Sequence, residues 1–299
     1  MESASNSLKK KQPSPRVILE LIKPVTWFPP MWAFICGAVS SGNLTTDKTG
    51  ILFLGIILCG PLVCGMSQAA NDWCDRHVDF INEPNRPIPS GRMPGKWGLW
   101  IAIIMTIISI VLGFLMGVWC FIATLIAVVF AWLYSSEPIR LKKSGILGPL
   151  TVGICYEGIP WFTGVAIITQ SFPNEKTIFL ATLYGFGAYG IMVLNDFKAL
   201  KGDRETGIKS LPLLIGVKNS IILSCFVILI SQVAISVLLN FWQLKEYALL
   251  VGLLTLIQFF LMFKLYKNPS KFAPWFNKTG VLAFIIGMMI SALGVGVIL

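Results

Sequence analysis

Nine apolar runs, parted by short polar segments, organise the 299-residue chain: 25–42, 50–70, 97–116, 118–134, 145–168, 177–194, 219–240, 245–263 and 279–298. About 20 residues of α-helix cross the hydrocarbon core of a bilayer. The pattern therefore predicts an all-α integral membrane protein with nine transmembrane helices. The first run carries Pro29-Pro30, and the third and fourth are parted only at Gly117. Residues 1–16 are polar and basic and are expected to form a disordered cytoplasmic tail. No apolar core with a small-residue cleavage site follows, so no cleaved targeting segment is read there. Residues 17–23 (VILELIK) are expected to lie along the membrane interface. Residues 17–299 form one membrane domain.

Charge placement orients the chain. Of 24 Lys and Arg, 21 fall in the N-terminal tail and in the loops after spans 2, 4, 6 and 8; the other loops hold only Lys48, Lys176 and Lys245. Positive residues concentrate on the cytoplasmic side, which predicts the N-terminus inside and the C-terminus outside. The composition agrees, with 55% hydrophobic and 13% charged residues and a mean hydropathy of +0.76. The formal charge of +10 then describes a basic cytoplasmic face suited to anionic lipid or an anionic substrate, with no need of nucleic acid. Seven cysteines lie in or beside the apolar runs without a CxxC pair, as small buried apolar residues do. No feature of the sequence specifies a protein partner.

The acids are concentrated where two spans end. Asp72, Asp75 and Asp79 follow span 2 at i, i+3 and i+7, which on a helix places them within about 60° of one another. Asn71 borders the same face. Asn195, Asp196 and Asp203 follow span 6. Both spans are even-numbered, so both acidic ends lie on the cytoplasmic side and are expected to face one another across a central cavity. The Asn-Asp pairs recur 124 residues apart, which suggests two related four-helix halves with a ninth helix added. Clustered carboxylates repel unless a cation neutralises them, and an oxygen-rich site of this kind suits Mg²⁺ shared with substrate phosphates. The nearby cations Arg76, Arg86, Arg140, Lys142, Lys143, Lys198 and Arg204 suit an anionic ligand. Together these features predict a diphosphate site with a lipid tail held between the helices. A metal-coupled transporter is the alternative from another class; there, ionisable groups belong near mid-membrane beside broken helices.

At these residues the chain resembles the UbiA superfamily of intramembrane prenyltransferases. NDWCDRHVD (71–79) has the form NDxxDxxxD of that family's first motif. The common second motif, DxxxD, fails because Leu200 stands four residues after Asp196. NDFKALKGDR (195–204), INEPNRPIPSGR (81–92) and KPVTWFPPMWAF (23–34) are similar instead to the branch formed by chlorophyll and bacteriochlorophyll synthases, in which Asp203 supplies the second acid. CYEGIPWFTG (155–164) looks closer to the bacteriochlorophyll side. The resemblance covers nearly the whole chain. It implies nine helices around a cavity open to the cytoplasm, in the cytoplasmic (inner) membrane of a photosynthetic bacterium. It implies transfer of a geranylgeranyl or phytyl group from its diphosphate to the propionate of a (bacterio)chlorophyllide. Another aromatic or haem prenyltransferase of the superfamily is the alternative within the class. The resemblance also implies that Asp72, Asp75, Asp196 and Asp203 hold Mg²⁺ and serve catalysis, supported by Asn71, Asp79 and Asn195. Tyr134, Arg140 and Lys142 in YSSEPIRLKK would contact the diphosphate. The acceptor carboxylate is already ionised near neutral pH, so no strong base is required, in keeping with a chain whose one histidine is His77.

Glu157 is the one acid deep inside a predicted span. A carboxylate there costs about 2.5–3.5 kcal/mol on insertion scales, so it is expected to contact the pigment ring. A neutral acid bonded to a backbone carbonyl freed by Pro160 is the structural alternative. Trp27, Phe28, Trp32, Trp161 and Phe162 are expected either to anchor at the interface or to pack on a flat macrocycle.

Overall fold

The computed structural model describes residues 12–197 and 200–299, and within them every named element is helical. A short amphipathic helix, α1 (Pro15–Ile22), buries Leu21 and Ile22. The chain then turns through Lys23, whose φ of 47° is left-handed, and enters α2 (Phe28–Ser40). The long helices follow as α3 (Thr46–Asn82), α4 (Trp97–Leu115), α5 (Val118–Ser135), α6 (Leu147–Thr169) and α7 (Glu175–Asp196). Two short helices, α8 (Leu200–Thr206) and α9 (Leu211–Ile215), lead to α10 (Val217–Phe241), α11 (Lys245–Lys267) and α12 (Pro269–Val297).

Eight of these helices are long and apolar enough to cross a membrane. The first predicted span, 25–42, is instead the shorter helix α2, with 13 residues. The cause is local. Proline fits the first turn of a helix, where its missing N–H would be unsatisfied anyway. Pro24 therefore opens a separate 3₁₀ turn, and Pro29 stands at the start of α2. Elsewhere the pattern and the helices agree closely. The parting of spans 3 and 4 falls at Gly117, whose φ of 117° suits glycine alone. The last helix begins ten residues before the predicted 279, because the Asn268 side chain caps it by accepting from the Lys271 N–H at 3.2 Å.

Neighbouring helices pack in sequence around a ring, and α12 closes it against α2. α2 also crosses α6 at backbone contact. A Cβ on Gly164 would lie 2.1 Å from the Phe34 carbonyl oxygen, so only glycine allows that approach. Trp161 beside it is fully buried, stacks on Tyr184 with centroids 5.3 Å apart, and donates its Nε1–H to Ser40 Oγ at 3.0 Å. The outer faces are the reverse of a water-soluble protein: Ile104, Ile107, Val111 and Phe114 are exposed while Ser109, Ser224, Gln232 and Gln258 are buried. Lipid contact requires this arrangement, with polar groups turned inward to partners. Gln232 donates to Gln258, which donates to the Gly280 carbonyl at 2.7 Å, linking α10, α11 and α12.

Two helices carry π-helical segments, Leu58–Cys64 in α3 and Ile154–Gly158 in α6. Pro61 lies within the first, and the wider turn accommodates its missing N–H. A π segment also shifts the facing of the residues beyond it. Here the two segments bring Cys64 and Tyr156 within 3.7 Å, and Gln68 Nε2 donates to Tyr156 Oη at 3.2 Å.

Candidate functional site

These π segments wall a cavity of about 1200 Å³ that is apolar in its depth and charged at its mouth. The apolar part includes Pro30, Val63, Ala127, Phe130 and Met192. The mouth is formed by the ends of α3 and α7 and by the loops after α3 and α5. Asn71, Asp75 and Asp79 face it from α3; Asn195 and Asp196 from α7; Asp203 and Glu205 from α8; Arg86, Arg140 and Lys142 from the loops. The expectation that two acidic helix ends, distant in sequence, meet over one cavity therefore holds in the fold.

Asp72 departs from it. Residues four apart on a helix differ in direction by about 40°, so Asn71, Asp75 and Asp79 form one fan, and Asp72 lies beyond its edge. It is 1% exposed and does not line the cavity. Its Oδ1 accepts from Lys23 Nζ at 2.6 Å and from an Arg86 N–H at 3.4 Å, while Oδ2 is buried without a partner.

Each of the three acids at the cavity end of α3 is matched by a cation. Arg86 also donates to Asp79 at 2.8 Å. Asp75 accepts from Arg140 at 2.8 Å and from Lys142. Arg140 is held in turn by Glu137 at 2.9 Å, and Lys143 pairs with Glu137 at 2.8 Å. Burial pushes the Lys142 ammonium below its ordinary range against the opposing pull of Asp75. Asp203 shifts the other way: burial raises it, opposed by the Ser210 hydroxyl and by Lys142. Lys142 thus lies electrostatically between the two acidic sets. The backbone fixes it there, because the Lys209 N–H donates to the Lys143 carbonyl at 3.1 Å. A Cβ on Gly145 would meet the Lys209 carbonyl oxygen at 2.4 Å, so glycine permits the two loops to join. Tyr134 lines the cavity within electrostatic range of Asp196, Asp75 and Asp203.

Three other expected residues lie elsewhere, and a fourth is outside the described residues. Arg76, one position past Asp75, turns onto its own helix; it donates to the Trp73 carbonyl at 2.7 Å and lies 4.4 Å over the Trp73 ring. Arg204 is exposed and outside the lining. Lys198 lies outside the described residues. Glu157 is buried in the π segment of α6, outside the cavity lining, with Oε2 unpartnered. The extra residue of a π turn alters facing; Cys155 and Tyr156 line the cavity and Glu157 does not. The aromatic residues divide as well. Trp161 is core, Phe28 stacks on Trp32 with centroids 5.9 Å apart, and Phe162 lines a separate apolar groove of about 530 Å³ between α5, α6 and α7.

Sequence reasoning missed Lys23 and Asn277. Lys23 stood in the quoted stretch KPVTWFPP without an assigned partner. Asn277 of α12 donates Nδ2–H to Asn195 Oδ1 at 2.9 Å, which ties the last helix to the second acidic end. Its signal was hidden because the predicted ninth span began two residues after it.

The donor set fits Mg²⁺. Among the described residues, no three His, Cys, Asp or Glu side chains form a metal cluster by themselves. Mg²⁺, however, is commonly held by one or two carboxylates, with water and substrate phosphates completing its shell. The facing carboxylates of Asp75, Asp196 and Asp203 at a cation-lined mouth meet that requirement.

Residues 26–296 match the UbiA prenyltransferase family. The chain is 52% identical over 290 residues to the bacteriochlorophyll synthase 33 kDa chain of Rhodobacter capsulatus, covering 96% of this chain and 95% of that one. Identity to the chloroplastic chlorophyll synthase of Avena sativa is 32%, over 93% of this chain and 76% of the relative. A solved UbiA homolog from Archaeoglobus fulgidus bound to GPP and Mg²⁺ superposes with a TM-score of 0.70 at 17% identity, covering 92% of this chain and 99% of that one.

Proposed function

Since the chain belongs to the UbiA prenyltransferase family, we propose that it esterifies the propionate of bacteriochlorophyllide a with a geranylgeranyl or phytyl group taken from its diphosphate. The protein is a multi-pass membrane prenyltransferase. The observation that carries the substrate reading is one cavity with two chemistries. Its depth suits an isoprenoid tail and its mouth suits a diphosphate. The 52% identity to a bacteriochlorophyll synthase, against 32% to a chlorophyll synthase, favours the bacteriochlorophyll ring.

Asn71, Asp75 and Asp79 on one side and Asp196 and Asp203 on the other would hold Mg²⁺, which would neutralise charge developing on the departing diphosphate. Arg86, Arg140 and Lys142 bind the diphosphate oxygens and stabilise the same charge. To do so they leave Asp79 and Asp75, so ligand binding exchanges partners within a fixed set of charges. Tyr134, which lines the cavity within electrostatic range of both acidic sets, would donate a hydrogen bond to the diphosphate. Asn195 is oriented by Asn277. The apolar depth excludes water, which would otherwise capture the allylic carbon as the C–O bond breaks. The acceptor carboxylate attacks that carbon, and diphosphate leaves. If α2 is taken as a ninth membrane helix beside the eight long ones, the 21-to-3 bias of basic residues supports a cytoplasmic mouth and a site in the inner membrane of a photosynthetic bacterium.

The test is an assay of purified protein in detergent with bacteriochlorophyllide a, geranylgeranyl diphosphate and Mg²⁺. EDTA and a parallel chlorophyllide a reaction serve as controls. A metal-dependent ester that forms faster with bacteriochlorophyllide is expected. Preference for chlorophyllide would move the enzyme to the other branch. No ester from either ring, with the helices intact, would remove the pigment substrate.

A further inference from the structure

Asp72 belongs to the acidic motif by sequence and to a different structure by contact. Its Oδ1 is engaged by Lys23 and Arg86, and its side chain is turned off the cavity. Arg86 does reach the cavity and bridges Asp72 to Asp79. Lys23 ends α1, whose buried face, Leu21 and Ile22, packs with Met66, Ala69 and Ala70 of α3. The outward face of α1 makes a second attachment. Glu20 accepts two hydrogen bonds from Arg92 at 2.5 and 2.7 Å, and Arg92 also donates to the Asn85 carbonyl at 2.5 Å. The loop carrying Arg86 is therefore gripped from both sides by one short helix, through Lys23–Asp72 before it and Glu20–Arg92 after it.

We propose that α1 is a strap that positions Arg86 for the diphosphate through Lys23 and Asp72, and that Asp72 is a positioning residue and not a metal ligand. The inference rests on the diphosphate site described above. Its physical basis is charge. A metal ligand must direct a lone pair at the ion, whereas Asp72 is turned off the cavity and its engaged oxygen already serves Lys23 and Arg86. A buried carboxylate so placed fixes its partners: removing it leaves two cations without their shared acceptor. Arg86 then loses one of its two anchors, and the mouth loses a preorganised donor.

The test separates metal from anion by binding alone. Mn²⁺ is titrated into purified protein and followed by electron paramagnetic resonance, with and without inorganic diphosphate. Lys23→Met and Asp72→Asn are expected to keep Mn²⁺ affinity within about twofold while diphosphate binds about tenfold more weakly, the scale of one charged hydrogen bond. Asp75→Asn is expected to lose Mn²⁺. The double variant Lys23→Met/Asp72→Asn should bind diphosphate no more weakly than Asp72→Asn, because both act through Arg86. Glu20→Gln is a surface change that leaves the buried pair intact; it should weaken diphosphate by about twofold, as exposed pairs do. Loss of Mn²⁺ in Asp72→Asn to the extent seen in Asp75→Asn would overturn the assignment of Asp72. Unchanged diphosphate affinity in Lys23→Met would overturn the strap. A wild-type protein that bound neither Mn²⁺ nor diphosphate would overturn the site and the strap together.

Discussion

The two acidic helix ends differ in what holds them. On α3, Asp72, Asp75 and Asp79 are all paired with lysine or arginine. On the α7 side, Asp196 has no ion pair among the described residues, and burial raises the Asp203 carboxyl against the opposing pull of Lys142. One end therefore stores the cations that a diphosphate needs, and at the other Asp196 carries no such pair among the described residues. The difference follows from the connections. The loops after α3 and α5 carry Arg86, Arg140 and Lys142 onto the first end, whereas the second end meets an amide, Asn277, from α12.

That comparison is most severely tested by removing one acid from each end. Asp75→Asn and Asp196→Asn should each lower kcat by about two to three orders of magnitude, the scale for losing a group that stabilises developing charge, with unchanged circular dichroism. If Asp75→Asn retained most of its activity, the α3 end would be a structural ion pair and the site would belong to α7. Arg140→Ala should come next. Losing a charged hydrogen bond of about 1.5–3 kcal/mol raises KM for the prenyl diphosphate by about 10- to 100-fold, and KM for the pigment should stay constant. A change confined to pigment binding would assign the α5–α6 loop to the wrong substrate.

Asn277→Ala should have a smaller effect, about fivefold in kcat/KM, because a neutral hydrogen bond contributes about 1 kcal/mol. Asn277→Asp or Asn277→Gln would show whether the amide or merely its volume matters. The smallest kinetic effect is expected at Glu157. Its carboxyl is buried beside α2, off the cavity, with one oxygen unpartnered. Glu157→Gln should leave both KM values unchanged and raise Tm, since a buried group that can ionise without a partner is costly. A selective loss of pigment affinity would instead show that Glu157 reaches the ring.

Much of the site was legible because it was local. Asn71, Asp75 and Asp79 share a face by helical period alone, and the even-numbered spans put their end beside that of α7. The basic loop at Arg140 and Lys142 was legible from proximity to a span end. Arg76 was not: one residue from Asp75 is a rotation of about 100°, and its guanidinium found a carbonyl and a ring on its own helix. Glu157 stands out by the cost of burying a carboxylate, which says that such a group is special and not which way it faces; it lies off the cavity lining.

The sequence by itself determined a helical membrane protein, the order of its spans and the two acidic ends, because hydrophobic period, proline, glycine and charge bias act over a few neighbours. Tertiary structure decided which acids face the cavity and which cations answer them. Lys23 lies 49 residues from Asp72 and Asn277 lies 82 from Asn195. Such pairs depend on where whole helices pack, and no local period encodes that.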